Sequence, residues 1–337
     1  MKKQIYLQTT YGKVWFNTFG NRKHRRGIIA FLCASLFVTL FCWTNLQSTK
    51  ADQIVAYVAA GATPVSATVN PVTNKVYVVN QGGGAYGIGG VTVIDGTNNS
   101  SIDVPTTAYP FRTAVNAVTN KIYVISQDNS DITVIDGMNN STVTITNAVS
   151  GRGAYAVAVN PITNKIYIAN QRSRSVTVID GTDNTTTTVP VGEGPIAIAV
   201  NALTNKIYVP NLFSSDLTVI DGTNNSAMTI KAGAAPYGVA VNTVTNKIYV
   251  PNNNSANVTV IDGTDNSTTT VPVGELPNLV QVNPVTNKIY IANGRSNYIT
   301  VIDGASNTTT NIPVDENPQA IAVNPATNKI YSANYYK

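Results

Sequence analysis

The sequence predicts an all-β protein: a seven-bladed β-propeller of four-stranded antiparallel blades, with the last blade incomplete and closed by the N-terminal strand. The first observation behind this prediction is an internal repeat. One asparagine recurs at spacings of 46, 44, 41, 41, 41 and 41 residues, at Asn70, Asn116, Asn160, Asn201, Asn242, Asn283 and Asn324. The second is that each unit carries four short β-prone runs. Four strands in a repeat of about 40–45 residues are typical of a propeller blade.

The third unit, residues 156–195, shows the four runs clearly as AVAV, IYIA, VTVI and TTTTVPV. Turn-forming residues separate them, which predicts strands joined by hairpins; we name these strands a, b, c and d. Small residues on strand a, such as Ala156 and Ala158, predict that it lies nearest the axis, where space is scarce. Strand d is predicted to be the outer edge because it tolerates proline, which cannot donate to a central ladder. These prolines are Pro105, Pro190, Pro272 and Pro313.

Residues 1–51 share nothing with the repeats and are predicted to be a signal peptide or an N-terminal membrane anchor, followed by the propeller over residues 52–337. A basic run at residues 22–26 precedes an apolar run at residues 27–43 and a short polar stretch, the order found in secretory signals. The apolar run has 17 residues, at the short end of what spans a bilayer, so an uncleaved anchor is the alternative. Either reading predicts an extracytoplasmic propeller that is periplasmic, secreted or at the cell surface.

The leader accounts for the positive charge of the whole chain and contains its cysteines and its histidine. The whole chain has a formal charge of +5, but 8 of its 22 basic residues lie in residues 1–50, leaving 14 against 17 acidic ones, a charge of −3. No nucleic-acid partner is therefore expected. Cys33, Cys42 and His24, the chain's cysteines and its one histidine, all lie in the leader. Catalysis by Ser–His–Asp or Cys–His groups is thereby excluded from the repeats, and no metal or cofactor is expected.

Units reading NPITNKIYIAN and VTVIDGTDNTTTTVPVGEGP resemble the YVTN family of β-propeller repeats, relatives of WD-like (WD40-like) and quinoprotein-like propellers. The resemblance extends over all seven units, from about residue 53 to residue 337. It implies an exported or cell-surface propeller. It implies no general set of catalytic residues.

The repeated turn residues are interpreted as architecture. TNK occurs in all seven units, and its asparagine, first seen at Asn74, suits a left-handed turn. VIDG occurs in six units; its aspartate is expected to accept N–H groups of its own turn, and its glycine to supply a positive φ. The aspartates are Asp95, Asp136, Asp180, Asp221, Asp262 and Asp303. The alternative is calcium binding where Asp183 or Asp265 follows, but calcium needs about six to eight oxygen ligands and these loops offer few.

Function is predicted on the face formed by the d–a and b–c loops, because these loops differ between units while the a–b and c–d turns hardly change. Loops on a rigid scaffold are where binding residues concentrate, and aromatic and arginine side chains are common contact residues. The predicted binding residues are Tyr109, Phe111, Arg112, Arg152, Tyr155, Arg172, Arg174, Glu193, Phe213, Tyr237, Glu275, Arg295, Tyr298 and Glu316.

The main functional prediction is a non-enzymatic scaffold, a monomer that binds a protein, a glycan or another surface partner and touches the membrane only through an uncleaved leader. The alternative is a lactonase-like or quinoprotein-dehydrogenase-like enzyme. In that reading Glu193, Glu275 and Glu316 would surround the channel mouth with nearby arginines, as a general acid or as cation ligands.

The ends of the repeat array do not match a complete ring. The segment QIVAYVAAGATP, residues 53–64, aligns with strand d and the loop that follows it. The seventh unit supplies strands a and b and then stops, without the VTVIDG strand. Strand d runs parallel to b and cannot replace c in an antiparallel ladder. We therefore expect a C-terminus cropped by at least one strand, with a native three-stranded last blade as the alternative.

Overall fold

The computed structural model describes residues 56–82, 89–149 and 153–335, together with two short strands, Ile5–Tyr6 and Trp15–Thr18. Regular structure in these described residues is entirely β. Six sheets have four antiparallel strands in the order a–b–c–d, and a seventh has three, so the chain is a seven-bladed β-propeller. Strand d lies at the outer edge of each four-stranded sheet, as the prolines predicted.

The strands of the first three blades are Pro64–Asn70, Lys75–Asn80, Gly90–Asp95 and Ser101–Pro105; Pro110–Asn116, Lys121–Ser126, Ile132–Asp136 and Thr142–Ile145; and Ala154–Asn160, Lys165–Asn170, Ser175–Asp180 and Thr186–Pro190. Those of the next three are Ala199–Asn201, Lys206–Asn211, Asp216–Asp221 and Ala227–Lys231; Ala240–Asn242, Lys247–Asn252, Asn257–Asp262 and Thr268–Pro272; and Pro277–Asn283, Lys288–Asn293, Tyr298–Asp303 and Thr309–Pro313. The seventh blade has Pro318–Asn324 and Lys329–Asn334 as strands a and b.

The seventh blade is incomplete, as predicted, and the N-terminal part of the chain supplies its third strand. That strand is Trp15–Thr18, which pairs antiparallel with Lys329–Asn334 and so occupies the position of strand c. Residues 53–64 were expected to provide the closing strand. They contain instead the short strand Ala56–Tyr57, which pairs in parallel with Ile5–Tyr6. Trp15–Thr18 runs antiparallel to strand b and so continues the antiparallel ladder of the blade, as strand c does in the other six.

Most of the predicted leader, including the apolar run at residues 27–43, lies outside the described residues. Within the part of the chain that the structure describes, no helix is long and apolar enough to cross a membrane.

The core lies between successive blades. In one cluster, Tyr167 and Val178 of blade 3 pack with Ile207 and Val209 of blade 4, and five similar clusters join the other consecutive pairs of blades from the first to the seventh. Both faces of strands b and c are therefore covered, which is why the central positions of these strands carry mainly aliphatic residues, tyrosine and threonine. This burial stabilises the ring by roughly 25 cal/mol per Å² of apolar surface.

Strand a is shortened in blades 4 and 5, where it begins at Ala199 and Ala240. The cause lies on the neighbouring strand b. The carbonyl groups of Pro210 and Pro251 accept hydrogen bonds from N–H groups of residues that precede strand a. Because a proline has no N–H, neither residue can donate the second hydrogen bond that a strand pair would form there. Blades with alanine at this position, such as Ala169 in blade 3, keep a seven-residue strand a.

Candidate functional site

The face formed by the a–b and c–d turns holds the blades together. The opening asparagine of each a–b turn donates through Nδ2 to the TNK asparagine of the next blade, as Asn70 does to Asn120 Oδ1 at 2.8 Å, and the bond recurs at six junctions. The TNK lysine also reaches the next blade: Lys165 Nζ donates to the carbonyl oxygen of Gly222 at 2.8 Å. The constant turns are therefore architectural.

The predicted turn chemistry is confirmed in two respects and wrong in one. Asn74 has a φ of 53°, in the left-handed region, as its six equivalents do. The aspartates accept N–H groups of their own turns, as Asp221 Oδ1 does from Thr223 at 2.8 Å. The glycine after the aspartate does not supply the positive φ; the asparagine three residues later does, as at Asn184 with 63°. The glycine is required instead by close approach, because a Cβ on Gly181 would lie 2.6 Å from the carbonyl oxygen of Asn164.

The aspartates considered as calcium ligands are engaged within their turns. Asp183 Oδ1 accepts from the Thr185 N–H at 2.9 Å and from its hydroxyl at 2.8 Å, and these hydrogen bonds hold the pKa of the carboxyl below its usual range. Asp265 Oδ1 accepts from the Ser267 N–H at 2.8 Å. Among the described residues, no three His, Cys, Asp or Glu side chains lie together as a metal site would require.

On the opposite face, one residue per blade directly follows the proline (Ala154 in blade 3) at which strand a begins in five blades. In blades 4 and 5 this proline lies four residues before the shortened strand a. These seven residues are Val65, Phe111, Tyr155, Ile196, Tyr237, Asn278 and Gln319. In five blades the pairing of strand a with strand b shifts register at this residue, which is a β-bulge. A bulge releases a residue from the ladder and re-aims its side chain. Since the seven residues occupy equivalent positions in the seven blades, their side chains form a ring at the channel mouth.

The residue before the opening position has a positive φ in all seven blades. These residues are Thr63, Tyr109, Gly153, Gly194, Ala235, Leu276 and Asn317. Their carbonyl groups accept an N–H from the b–c loop of the same blade, as Gly194 does from Leu212 at 2.9 Å. For a non-glycine residue this conformation costs on the order of 1 kcal/mol, which the loop-to-loop hydrogen bond offsets. It makes the two loops one rigid unit.

The structure brings four of the predicted binding residues together at this mouth, and we call Phe111, Arg112, Tyr155 and Tyr237 the mouth cluster. The rings of Phe111 and Tyr155 lie 5.4 Å apart, tilted by 59°, and the Arg112 guanidinium lies 4.7 Å from the centre of the Phe111 ring. The Tyr237 phenol lies close enough to Tyr155 and Arg112 for both to act on it electrostatically. Burial raises the pKa of the Tyr237 phenol, Tyr155 adds to the rise, and the charge of Arg112 opposes it. The cluster thus joins blades 2, 3 and 5.

Two amides continue the ring beyond Tyr237. Asn278 Nδ2 donates to Gln319 Oε1 at 3.1 Å, and Gln319 Nε2 donates to Asn317 Oδ1. The Asn278 backbone lies against blade 5, because a Cβ on Gly238 would be 2.9 Å from its carbonyl oxygen. Gln319 was not among the predicted binding residues. Aligning the units on the proline that opens strand a would have placed it in the same ring position as Tyr155 and Tyr237.

The other predicted residues lie outside this cluster. Arg174 and Glu193 form an exposed ion pair at 2.5 Å, and Arg172 lies 3.9 Å from Asp128. Phe213 is 64% exposed, beside Gly194. Tyr109 is one of the positive-φ residues, Tyr298 is half-buried at the start of a strand c, and Arg152 lies outside the described residues. The remaining three are exposed loop residues: Glu275, Arg295 and Glu316.

Comparisons with known proteins agree with the fold class. No family model matches the chain, and no curated protein matches it. Similar solved structures include the hydrazine synthase of Kuenenia stuttgartiensis, at 17% identity and a TM-score of 0.61, covering 81% of this chain and 92% of that one. A protein of Bacteroides uniformis named as a candidate 6-phosphogluconolactonase is 14% identical with a TM-score of 0.60, and the match covers 77% of this chain and 88% of that one. The dihydro-heme d1 dehydrogenase NirN in complex with DHE is 12% identical with a TM-score of 0.66, and the match covers 80% of this chain and 61% of that one.

At these identities the likeness concerns the fold alone. It supports the class, a β-propeller protein, that the sheets already define. The resemblance to YVTN repeats stays a prediction.

Proposed function

We propose that this chain is an exported propeller scaffold that binds a protein or glycan partner through its d–a and b–c loops, with the mouth cluster at the centre of the contact. One observation carries the proposal: an arginine and three aromatic rings from blades 2, 3 and 5 meet at the channel mouth. Arginine, tyrosine and other aromatic residues dominate the energetic centres of binding surfaces. The extracytoplasmic location is part of the proposal and rests on the leader sequence.

The chemistry of the mouth suits binding better than catalysis. The mouth cluster contains a guanidinium, two phenols and a phenyl ring, but no carboxylate or imidazole that would serve as a general acid or base near neutral pH. Of the three candidate glutamates, Glu193 is paired with Arg174, while Glu275 and Glu316 are exposed in the loops that lead to two other blades.

The test is retention of surface components on immobilised full-length protein. Protein and glycan fractions from the cell envelope would be passed over wild type, over the double variant Tyr155→Ala, Tyr237→Ala, and over the control Met228→Ala, Lys231→Ala. The control removes an exposed apolar and an exposed basic side chain from the outer strand of blade 4, rather than from the d–a and b–c loops. We expect the cluster variant to lose at least tenfold of the bound material and the control to keep it. Equal retention by all three proteins would refute the proposal.

A second candidate is catalysis at the same mouth, and the names of the three similar structures favour it, because each is named for an enzyme. The assay would combine lactone hydrolysis with dye-linked dehydrogenation of alcohols and sugars, using wild type and Arg112→Ala. Turnover that depends on Arg112 would replace the scaffold proposal with an enzymatic one.

A further inference from the structure

We infer that the mouth cluster and the amides beside it bind an anionic saccharide unit, a sugar ring that carries a carboxylate or a sulfate ester. The inference rests on the proposed function, since it names the ligand class for the same face. It follows from three groups at the channel mouth: an aromatic wall, a guanidinium without a carboxylate partner among the described residues, and a fixed amide.

The aromatic wall is formed by Phe111, Tyr155 and Tyr237. The first two rings lie 5.4 Å apart and tilted, and all three side chains are half-buried, so each leaves part of its surface open at the mouth. Tyrosine combines an apolar ring with a polar tip. This combination suits a ligand whose ring faces are apolar and whose rim carries hydroxyl groups, which describes a pyranose.

Arg112 supplies the charge. It is exposed, its guanidinium rests on the Phe111 ring at 4.7 Å, and among the described residues no carboxylate forms an ion pair with it. Arg172 and Arg174, on the same face, each have an acidic neighbour. A guanidinium held against an aromatic ring keeps its planar donors available for two parallel hydrogen bonds to a carboxylate, sulfate or phosphate. An anionic group on the ligand is therefore expected here.

Gln319 supplies the amide. Its Oε1 accepts from Asn278 Nδ2 and its Nε2 donates to Asn317, so the exposed amide group is held in one orientation. An amide oxygen can accept two hydrogen bonds and an amide nitrogen can donate two, which leaves one of each for a ligand. A sugar hydroxyl can both donate and accept, so it matches this fixed pair.

The experiment measures binding of defined saccharides to the full-length protein by calorimetry. The probes are an oligogalacturonate, its fully methyl-esterified form, sulfated dextran and unmodified dextran. We expect the acid to bind at least tenfold more tightly than its ester. Arg112→Gln should reduce affinity for the acid at least tenfold and change affinity for the ester less than twofold. Lys231→Gln, which removes an exposed positive charge from the outer strand of blade 4, is the control and should change neither. The sulfated and carboxylated probes separate the two sources of the anion.

The outcomes separate this inference from the proposed function. If the acid and the ester bind equally, if Arg112→Gln matches Lys231→Gln, or if no saccharide binds, the proposal of an anionic saccharide ligand is wrong. The scaffold proposal would still stand if Tyr155→Ala, Tyr237→Ala abolished capture of a protein partner. Near-ultraviolet circular dichroism of each variant, whose aromatic signal reports the fold, shows that a loss of binding reflects the missing group rather than unfolding.

Discussion

At the scale of single residues, a glycine is required in each c–d turn by close contacts with its neighbours rather than by its own backbone angle. Gly222 donates its N–H to the carbonyl oxygen of Asn205 at 2.8 Å, and a Cβ there would lie 2.8 Å from the hydroxyl of Tyr167 in the preceding blade. The same asparagine oxygens crowd the equivalent glycines in the other turns. The repeated glycine therefore lies where its own c–d turn, the a–b turn of the same blade and the preceding blade meet.

This crowding predicts that Gly222→Ala destabilises the protein by about 1–3 kcal/mol, the usual cost of overpacking a filled site. Denaturant unfolding measures the change. Thr229→Ala, on the exposed outer strand of the same blade, is the control and should stay within about 0.5 kcal/mol of wild type. A Gly222 variant as stable as this control would mean that the turn relaxes freely.

At the scale of the strands and turns, the paired asparagines explain why the a–b turn is nearly invariant along the chain. Asn201 is fully buried; its Nδ2 donates to Asn246 Oδ1 at 2.9 Å, and its Oδ1 accepts from Leu203 N at 3.2 Å. One side chain thus closes its own turn and binds the next blade. Asn324, the equivalent residue of blade 7, is exposed and accepts from Thr327 N at 3.1 Å.

Asn201→Ala should cost about 1–3 kcal/mol, because it leaves the Oδ1 of Asn246 and N–H groups of its own turn without partners at a partly buried junction between blades. Asn324→Ala removes the same side chain from an exposed position, so a loss below about 1 kcal/mol is expected there. Unfolding free energies of the two variants, measured side by side, provide the comparison. Equal losses would show that the asparagine acts within its turn and not between blades.

The sequence predicted most of the fold because the elements that build it recur in every unit. Asn70, Asn74 and Lys75 repeat with their partners, so blade number, strand order and the role of the turns follow from one repeat. The glycine angle was predicted wrongly because turn preferences ignore contacts with the neighbouring strand. The closing strand was misplaced because Trp15–Thr18 carries no mark of the repeat.

The grouping of the mouth cluster could not be predicted from the sequence, for a different reason. Phe111, Tyr155 and Tyr237 could be named as loop residues with binding chemistry, but they belong to blades 2, 3 and 5. Their meeting depends on the bulge or break at the start of strand a and on the curvature of the whole ring, which no single unit specifies. Arg174 and Glu193 looked equally suitable in the sequence, yet the structure pairs them with each other.

At the scale of the whole molecule, five equivalent tyrosines on strand b predict a steep loss of stability at alkaline pH. Each is fully buried, and burial raises the pKa of each phenol to about 12; they are Tyr77, Tyr123, Tyr167, Tyr208 and Tyr249. The fold favours the neutral phenol, whereas the unfolded chain ionises near pH 10. Their stabilisation is therefore complete below about pH 10 and is lost as pH rises towards 12, in all five blades together.

Tyr208→Phe isolates one of these phenols. The Tyr208 hydroxyl is buried without a hydrogen-bond partner among the described residues, so its removal should leave the unfolding free energy at pH 7 unchanged or slightly higher. Above pH 10 the variant should lose stability less steeply with pH than wild type, because one fewer phenol releases its proton on unfolding. Denaturant unfolding at intervals between pH 8 and pH 12 measures both slopes. Identical slopes would mean that the alkaline transition has another origin than the strand b tyrosines.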